Sequence, residues 1–170
     1  DQFEADADIR VAILTGAGGT FCSGMDLKGF LAGETPVVKG RGFAGLTQYS
    51  PAKPLIAAAE GFALAGGFEL LLSCDLVVAT ETTKFGIPEV KRSLVAGAGG
   101  VFRLPQQIPP RIAMELALTG DHYDAKRMYE VGLINEIVPE GQALECAKKL
   151  SSRIACNGPL ATAATKKIMQ

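Results

Sequence analysis

The sequence predicts an α/β fold. Two short runs, 54–59 and 76–79, are apolar throughout, which is typical of strands that are buried on both faces of a sheet. Segments of helical character lie between and after these runs, and strands that alternate with helices form largely parallel sheets. With 48% hydrophobic and 21% charged residues, a chain of 170 residues has the composition of a globular domain with a substantial core.

Three strands are expected in the first half of the chain. The first spans 11–15 and ends in the glycine-rich loop 16–19, and a turn with a short helix follows at 21–30. Residues 31–50 carry four glycines and little periodicity, so we predict a mobile surface loop there. The remaining elements of this half are a strand at 54–59, a tight connection of small residues at 61–67, a helix at 68–73 and a strand at 76–79.

The second half is predicted to be helical apart from one strand. Pro109 and Pro110 mark a helix start, Asp124 a helix cap and Gly132 a helix stop. The helices are expected at 97–104, 109–118, 124–131, 142–155 and 159–168, and the strand at 133–138. We therefore divide the chain into a core at 1–108 and a helical C-terminal region at 109–170. Both ends stop inside helix-like patterns, so we expect these residues to be the middle of a longer protein.

Composition and charge argue against several classes of protein. With 17 basic and 18 acidic residues, the net charge of −1 provides no field that would attract nucleic acid or an anionic membrane. The four cysteines are widely spread and His122 is the single histidine, so no metal cluster is expected. Such cysteines are typical of a reducing compartment, and no apolar run approaches 18 residues. We therefore predict a cytoplasmic protein.

The common nucleotide-binding and nucleophile motifs fit the sequence poorly. Residues 16–19 follow a strand as a dinucleotide-binding loop does, but Phe21 occupies the position of the third glycine. Neither a phosphate-loop motif nor a nucleophile elbow is present. His122 lies between two expected helices, where an exposed loop residue is commoner than a general base.

Two glutamates are the candidate catalytic residues. Glu69 lies in the nearly all-apolar stretch 63–72, where a charge needs either a partner or a function. Glu89 follows Pro88 in a loop. Either they form an acid/base pair, or Glu69 belongs to a buried salt bridge and Glu89 is a first-turn acid favoured by a helix dipole.

Two glycines favour the acid/base interpretation. Gly66 and Gly67 open a helix just before Glu69, so backbone N–H groups there lack helical acceptors and can approach a ligand closely. A backbone donor can polarise a thioester carbonyl while a carboxylate moves protons at the neighbouring carbons. A packing turn between strand and helix is the alternative explanation of these glycines.

Three motifs, in the same order along the chain, resemble the signatures of the crotonase superfamily, and most closely those of enoyl-CoA hydratases. They are residues 13–27, residues 59–70 with Cys74 and Asp75, and residues 85–89 with 96–100. The similarity continues to residue 159 and covers nearly the whole chain. It implies a ClpP/crotonase-like spiral of β-β-α units, with a helical C-terminal part that mediates trimer contacts.

The resemblance also implies roles for individual residues. The backbone N–H groups of Met25 and Gly66 would form an oxyanion hole for the thioester oxygen of an acyl-CoA. Glu69 would position and activate water, and Glu89 would exchange a proton with the substrate Cα. The other implied contacts are the water or substrate at Gly97 and the CoA moiety at Ser23, Asp26 and Leu27.

Both glutamates together favour the reversible hydration of a 2-enoyl-CoA, with no metal or redox cofactor. Other crotonase-type reactions stay open, namely isomerisation and carnitinyl-CoA-type dehydration, as does a non-catalytic acyl-CoA-binding or RNA-associating role. The expected partners are an acyl-CoA and further copies of the chain in a homotrimer or a dimer of trimers, without nucleic acid or membrane. Ala65 and Met25 replace the family's commoner glycine and alanine, which is tolerable where only backbone N–H groups are used.

Overall fold

The computed structural model describes residues 2–170 and confirms the α/β fold. Its strands are β1 Ala12–Thr15, β2 Val37–Val38, β3 Gly42–Phe43, β4 Leu55–Ala59, β5 Phe62–Leu64, β6 Leu76–Thr80, β7 Lys84–Gly86, β8 Tyr123–Asp124 and β9 Glu136–Val138. Its helices are α1 Gln2–Ala5, α2 Leu27–Leu31, α3 Gly66–Leu71, α4 Gly100–Gln107, α5 Pro110–Thr119, α6 Ala125–Glu130, α7 Ala143–Ala155 and α8 Pro159–Met169, with a 3₁₀ helix at Pro88–Arg92.

Four parallel strands form the larger sheet, in the order β1-β4-β6-β9. Every residue of β4 is buried. Ile56 and Ala58 pack with Ala143 and Ala147 of α7, whereas the alternate residues of β4 belong to the main core on the opposite face. Since successive side chains of a strand point to opposite faces, this double coverage explains why the strand is apolar throughout.

A smaller sheet lies beside the first and contains β5, β7 and β8. Cys22 extends it through a parallel bridge to Ala63. The chain alternates between the two sheets: β4 leads to β5 and then α3, and β6 leads to β7 and then the 3₁₀ helix. In the same way, β1 is followed by the Cys22 bridge and α2. These successive β-β-α units confirm the spiral that the resemblance implied.

Strands β5 and β7 were missed in the sequence. Residues 61–67, predicted to be only a tight connection, contain β5, which pairs in parallel with β7. Each strand is only three residues long, which is too short to show an alternating apolar pattern. Each is defined by its pairing with the other strand. The expected helix at 97–104 begins at Gly100, and the expected strand at 133–138 begins at Glu136.

The segment 31–50, for which we predicted a mobile surface loop, contains the antiparallel hairpin of β2 and β3. Thr47, just after the hairpin, is only 1% exposed. Its hydroxyl accepts a hydrogen bond from the Phe43 N–H at 2.8 Å. The second half of the segment is therefore anchored to the core.

The helical character of the second half is confirmed, together with its boundary signals. Pro110 is the first residue of α5, the Asp124 carboxylate accepts from the Arg127 N–H at 2.8 Å, and Gly132 has a φ of 88°. The division of the chain at residue 108 stays a prediction. Among residues 2–170, no helix is long and apolar enough to cross a membrane.

Candidate active site

Helix α3 starts at Gly66 without a side-chain cap, directly after β5. Ala65, between the two elements, has φ 51° and ψ −129°, a backbone conformation that residues other than glycine rarely adopt. Its N–H donates to the Gly86 carbonyl at 2.9 Å. The Gly66 N–H has no acceptor among the residues that the structure describes. The sharp turn therefore presents an unused donor at the positive end of the helix.

A second segment packs against this helix start. Gly24 has a φ of 100°, and a Cβ placed on it would lie 3.2 Å from the Gly66 nitrogen and 3.0 Å from the Ala65 Cβ. Met25, the next residue, also has an N–H without an acceptor in the described part of the chain. The structure thus brings the two predicted oxyanion donors into one region, although their role stays a prediction.

The two glycines of α3 make different close contacts. A Cβ on Gly67 would overlap the carbonyl oxygen of Cys22 and lie 2.5 Å from its carbonyl carbon. A Cβ on Gly66 would lie 2.9 Å from the Cε1 and Cζ atoms of the Phe43 ring. The packing explanation therefore holds for Gly67, whereas Gly66 combines a packing contact with the unused donor.

Glu69 lies on α3 and is only 3% exposed. Its Oε1 accepts from the N–H groups of Ala98 and Gly100, at 2.7 and 2.8 Å, and no described side chain forms a salt bridge with it. Burial raises the pKa of Glu69, while these two donors and the charge of Arg103 oppose the rise. The carboxyl group is thus fixed through one oxygen by backbone donors.

Glu89 lies in the first turn of the 3₁₀ helix, as a first-turn acid would. Its Oε2 is buried and has no hydrogen-bond partner among the described residues. Burial raises the pKa of Glu89, and the nearby Glu69 carboxyl raises it further. A buried polar atom without a partner is uncommon, so this oxygen is available to a substrate or a water molecule.

The remaining predicted site residues are less enclosed. Gly97 is exposed in the turn before α4, next to the donor residue Ala98. Ser23 and Leu27 are exposed near the start of α2. Asp26 caps that helix, since its Oδ1 accepts from the N–H groups of Lys28 and Gly29 at 2.9 and 3.3 Å. Capping accounts for Asp26 without a ligand, and the CoA contacts stay predictions.

Sequence reasoning missed the residues that hold Glu69 in place. Gly100 packs so tightly that a Cβ on it would lie 3.1 Å from the Glu69 Cγ. Arg103 is half-buried beside this turn and its guanidinium donates to two backbone carbonyls, those of Ala98 and Thr47. The glycines at 97, 99 and 100 followed by an arginine were the available signal, because they allow a side chain to fold back over the turn.

The rest of the molecule has a separate cavity and, among the described residues, no metal-binding cluster. A cavity of about 820 Å³, between the beginning of β6 and α8, has a wall that includes Cys74, Asp75 and Lys166 but neither Glu69 nor Glu89. No group of three or more His, Cys, Asp or Glu side chains within residues 2–170 could hold a metal ion. The arrangement at the start of α3 is therefore the candidate active site.

The raised pKa of Glu89 predicts how stability depends on pH. Below the ordinary value of 4.5, Glu89 is protonated in both the folded and the unfolded state. As the pH rises from that value through the raised folded pKa, the unfolded state loses its proton first, so folded-state stability falls. Glu89→Gln should therefore be more stable than the wild type at neutral pH, and the difference should disappear in acid.

Denaturant unfolding at a series of pH values measures this difference. Glu140→Gln, at an exposed position, is the matched control and should change stability by no more than about 0.5 kcal/mol. A constant stability difference between Glu89→Gln and the wild type at all pH values would contradict the argument.

Comparison with known proteins decides the family. The enoyl-CoA hydratase/isomerase family model matches residues 1–170. The chain belongs to this family. The predicted crotonase resemblance is thereby confirmed, and the family's fold is seen in a solved enoyl-CoA hydratase structure from Mycobacterium tuberculosis, with a TM-score of 0.97 and 59% identity over 99% of this chain and 67% of that one.

Curated relatives in the enoyl-CoA hydratase/isomerase family have two different names. A carnitinyl-CoA dehydratase from Proteus mirabilis is 41% identical over 98% of this chain and 66% of its own length. An enoyl-CoA hydratase from Mycobacterium tuberculosis is 47% identical over 96% of this chain and 64% of its own length. The chain thus spans slightly less than two thirds of the curated relatives it matches.

Proposed function

We propose that the protein is a hydro-lyase that adds water reversibly to a 2-enoyl-CoA thioester and gives a 3-hydroxyacyl-CoA. The observation that carries the proposal is the pair of carboxyl groups formed by the buried Glu69 and the half-buried Glu89. Glu69 is held by two backbone donors, whereas Glu89 has an unpartnered oxygen, and each has a raised pKa. A carboxyl whose pKa is raised keeps its proton to higher pH than an ordinary carboxyl, and such a group can act as a general acid or base.

The proposed reaction assigns one task to each group. The N–H groups of Met25 and Gly66 bind the thioester oxygen, and hydration places negative charge on that oxygen when water attacks the β-carbon. Glu69 orients the water and accepts its proton as the new C–O bond forms. Glu89 then gives a proton to the α-carbon, and the enolate electrons form the C–H bond.

Mutual repulsion supports the division between one charged and one neutral carboxyl group. Because each negative charge disfavours the other, the pair tends to hold a proton, as closely placed carboxyls do. One carboxylate to take the water's proton and one carboxylic acid to protonate carbon are what a hydration requires. No electrons are gained or lost overall, so we propose no redox cofactor. We propose no metal either, because the two backbone donors would polarise the thioester carbonyl. Coenzyme A is part of the substrate.

The second candidate function is dehydration of a carnitinyl-CoA-type substrate. It is favoured by the Proteus mirabilis relative, which has the name carnitinyl-CoA dehydratase. Elimination of water from a 3-hydroxyacyl-CoA is the reverse of the proposed reaction and would use the same groups. The two candidates therefore differ in the acyl chain and not in the acid/base pair.

Product analysis tests the proposal directly. The purified protein is incubated with a panel of short, long and branched 2-enoyl-CoAs and with carnitinyl-CoA, and the products are identified by mass spectrometry. We expect enoyl-CoAs to gain one water and to yield 3-hydroxyacyl-CoAs. A product with an unchanged mass and a shifted double bond would contradict hydration in favour of isomerisation, and tight binding without any product would indicate a binding role.

The proposed partners follow from the family and from the surface of the chain. We propose an acyl-CoA substrate and assembly into a homotrimer or a dimer of trimers. Helix α8 supports assembly, since no residue of it is buried and Leu160, Ile168 and Met169 are more than four-fifths exposed. Nucleic acid and membrane are not among the proposed partners, and the cytoplasmic location stays a prediction from the sequence.

A further inference from the structure

We infer that Arg103 is a positioning residue, which ties the turn that holds Glu69 to the hairpin that packs on the start of α3. Arg103 reaches both segments from one side chain. The kinetic part of this inference rests on the proposed function, whereas its structural part rests on contacts within the chain alone.

The first contact of Arg103 is with the turn before α4. Its Nη1 donates to the Ala98 carbonyl at 3.2 Å, while the Ala98 N–H donates to Glu69 at 2.7 Å. The guanidinium folds back over Gly99, where a Cβ would overlap Nη1. The residue that gives Glu69 one of its two donors is therefore fixed from its other side by Arg103.

The second contact of Arg103 is with the hairpin segment. Its Nη2 donates to the Thr47 carbonyl at 2.5 Å. Thr47 is buried, its hydroxyl accepts from the Phe43 N–H, and the Phe43 ring lies against Gly66. Through Thr47, the guanidinium thus fixes the ring that packs on the predicted oxyanion donor.

The charge of Arg103 also acts on Glu69. It lowers the pKa of Glu69 against the effect of burial, whereas the charge of Glu69 itself raises the pKa of Glu89. Removal of the arginine charge should therefore raise the pKa of Glu69. Removal of a residue that only filled space would not change the pKa of Glu69.

Two substitutions separate the charge of Arg103 from its fork geometry. Arg103→Gln removes the charge, and we expect kcat to fall about 10- to 100-fold because the turn shifts, with little change in KM. The acid limb of the kcat/KM profile should move to higher pH. Arg103→Lys keeps the charge but not the planar fork that reaches two carbonyls, so its kcat should fall while its acid limb stays near that of the wild type.

Arg111→Gln is the matched control. Arg111 is exposed on the adjacent helix α5. We expect this variant to keep both the wild-type kcat and the wild-type acid limb, measured with the same short 2-enoyl-CoA.

An NMR titration of the glutamate carboxyl carbons tests the same inference without turnover. The Glu69 signal is assigned by its loss in Glu69→Gln, and its midpoint should be higher in Arg103→Gln than in the wild type. An unchanged midpoint in Arg103→Gln, or wild-type kcat in Arg103→Lys, would overturn the inference.

If Arg103→Gln does not fold, the kcat of Arg103→Lys alone tests the positioning role of Arg103. A shifted midpoint in a protein that consumes no enoyl-CoA would refute the proposed function and leave the positioning role of Arg103 standing.

Discussion

Glu69→Gln and Glu89→Gln should each lower kcat for enoyl-CoA hydration by about 10²- to 10⁴-fold, the usual contribution of a general acid or base. Both substitutions preserve shape. A glutamine at position 69 keeps a carbonyl oxygen that can accept from Ala98 and Gly100, so we expect α3 and the turn to stay in place. What is lost is the ability to take up and release a proton.

The two variants should differ in detail. Glu69→Gln removes the negative charge that raises the pKa of Glu89, so Glu89 should titrate at lower pH in that variant. Glu89→Gln should abolish the exchange of the substrate Cα proton with solvent deuterium. The double variant should be only slightly slower than the slower single variant, because the two groups act in one sequence.

Initial rates with a short 2-enoyl-CoA measure these effects, and thermal unfolding checks that each variant is folded. Glu140→Gln, at an exposed position, is the control for the loss of one carboxylate and should keep the wild-type rate. Wild-type hydration by folded Glu69→Gln and Glu89→Gln proteins would refute the proposed roles of both residues.

The elements that could be predicted from the sequence are those with strong local patterns. Strand β4 and most of β6 are continuous apolar runs because helices and the second sheet cover both of their faces. Helix boundaries at Pro110, Asp124 and Gly132 follow from local backbone chemistry. Such signals lie within a few residues of the element they define, so they can be recognised in a single sequence without knowledge of distant contacts.

The elements that could not be predicted depend on contacts between distant segments. Strand β5 exists because β7 lies beside it, and the residues of neither strand alternate. Thr47 is buried and its carbonyl accepts a hydrogen bond from Arg103, 56 residues further along the chain. The spacing of these residues contains no periodicity that would indicate such a contact.

The candidate site was predictable in part for the same reason. Glu69 stood out as a charge in an apolar stretch, but its partners, the N–H groups of Ala98 and Gly100, are backbone atoms with no side-chain signature. Asp26, which the family resemblance places at the CoA site, also caps α2 in the structure, and its contact with CoA stays a prediction. One family motif can thus contain residues that stabilise the fold as well as residues with a proposed chemical role.

Gly67→Ala should destabilise the protein by about 3 kcal/mol, at the upper end of typical overpacking effects. The added Cβ would overlap the Cys22 carbonyl oxygen, which is backbone held in the smaller sheet and cannot rotate away. Cys22 accepts from the Leu64 N–H at 3.0 Å, and its own N–H donates to the Phe62 carbonyl at 2.9 Å. Relief of the overlap therefore requires separation of α3 from the strand pair that supports it.

Two further glycine substitutions make the comparison specific. Gly66→Ala meets the Phe43 ring at 2.9 Å, a milder contact than the overlap with backbone at Gly67, so we expect a smaller loss of stability than at Gly67. Gly158→Ala meets nothing within 4 Å and should change stability by no more than about 0.5 kcal/mol. Urea unfolding of the three variants measures the order, and a Gly67→Ala protein with the wild-type midpoint would contradict the close contact.

The expected kinetic result of Gly67→Ala links this packing contact to the proposed chemistry. The carbonyl of Cys22 lies three residues before Met25 and packs on the helix that begins at Gly66, so the contact sets the distance between the two predicted oxyanion donors. In any folded fraction of Gly67→Ala, the donors should be farther apart, and kcat should fall with little change in the pH profile. That unshifted profile would distinguish damage to the oxyanion hole from damage at Glu69, where the acid limb moves.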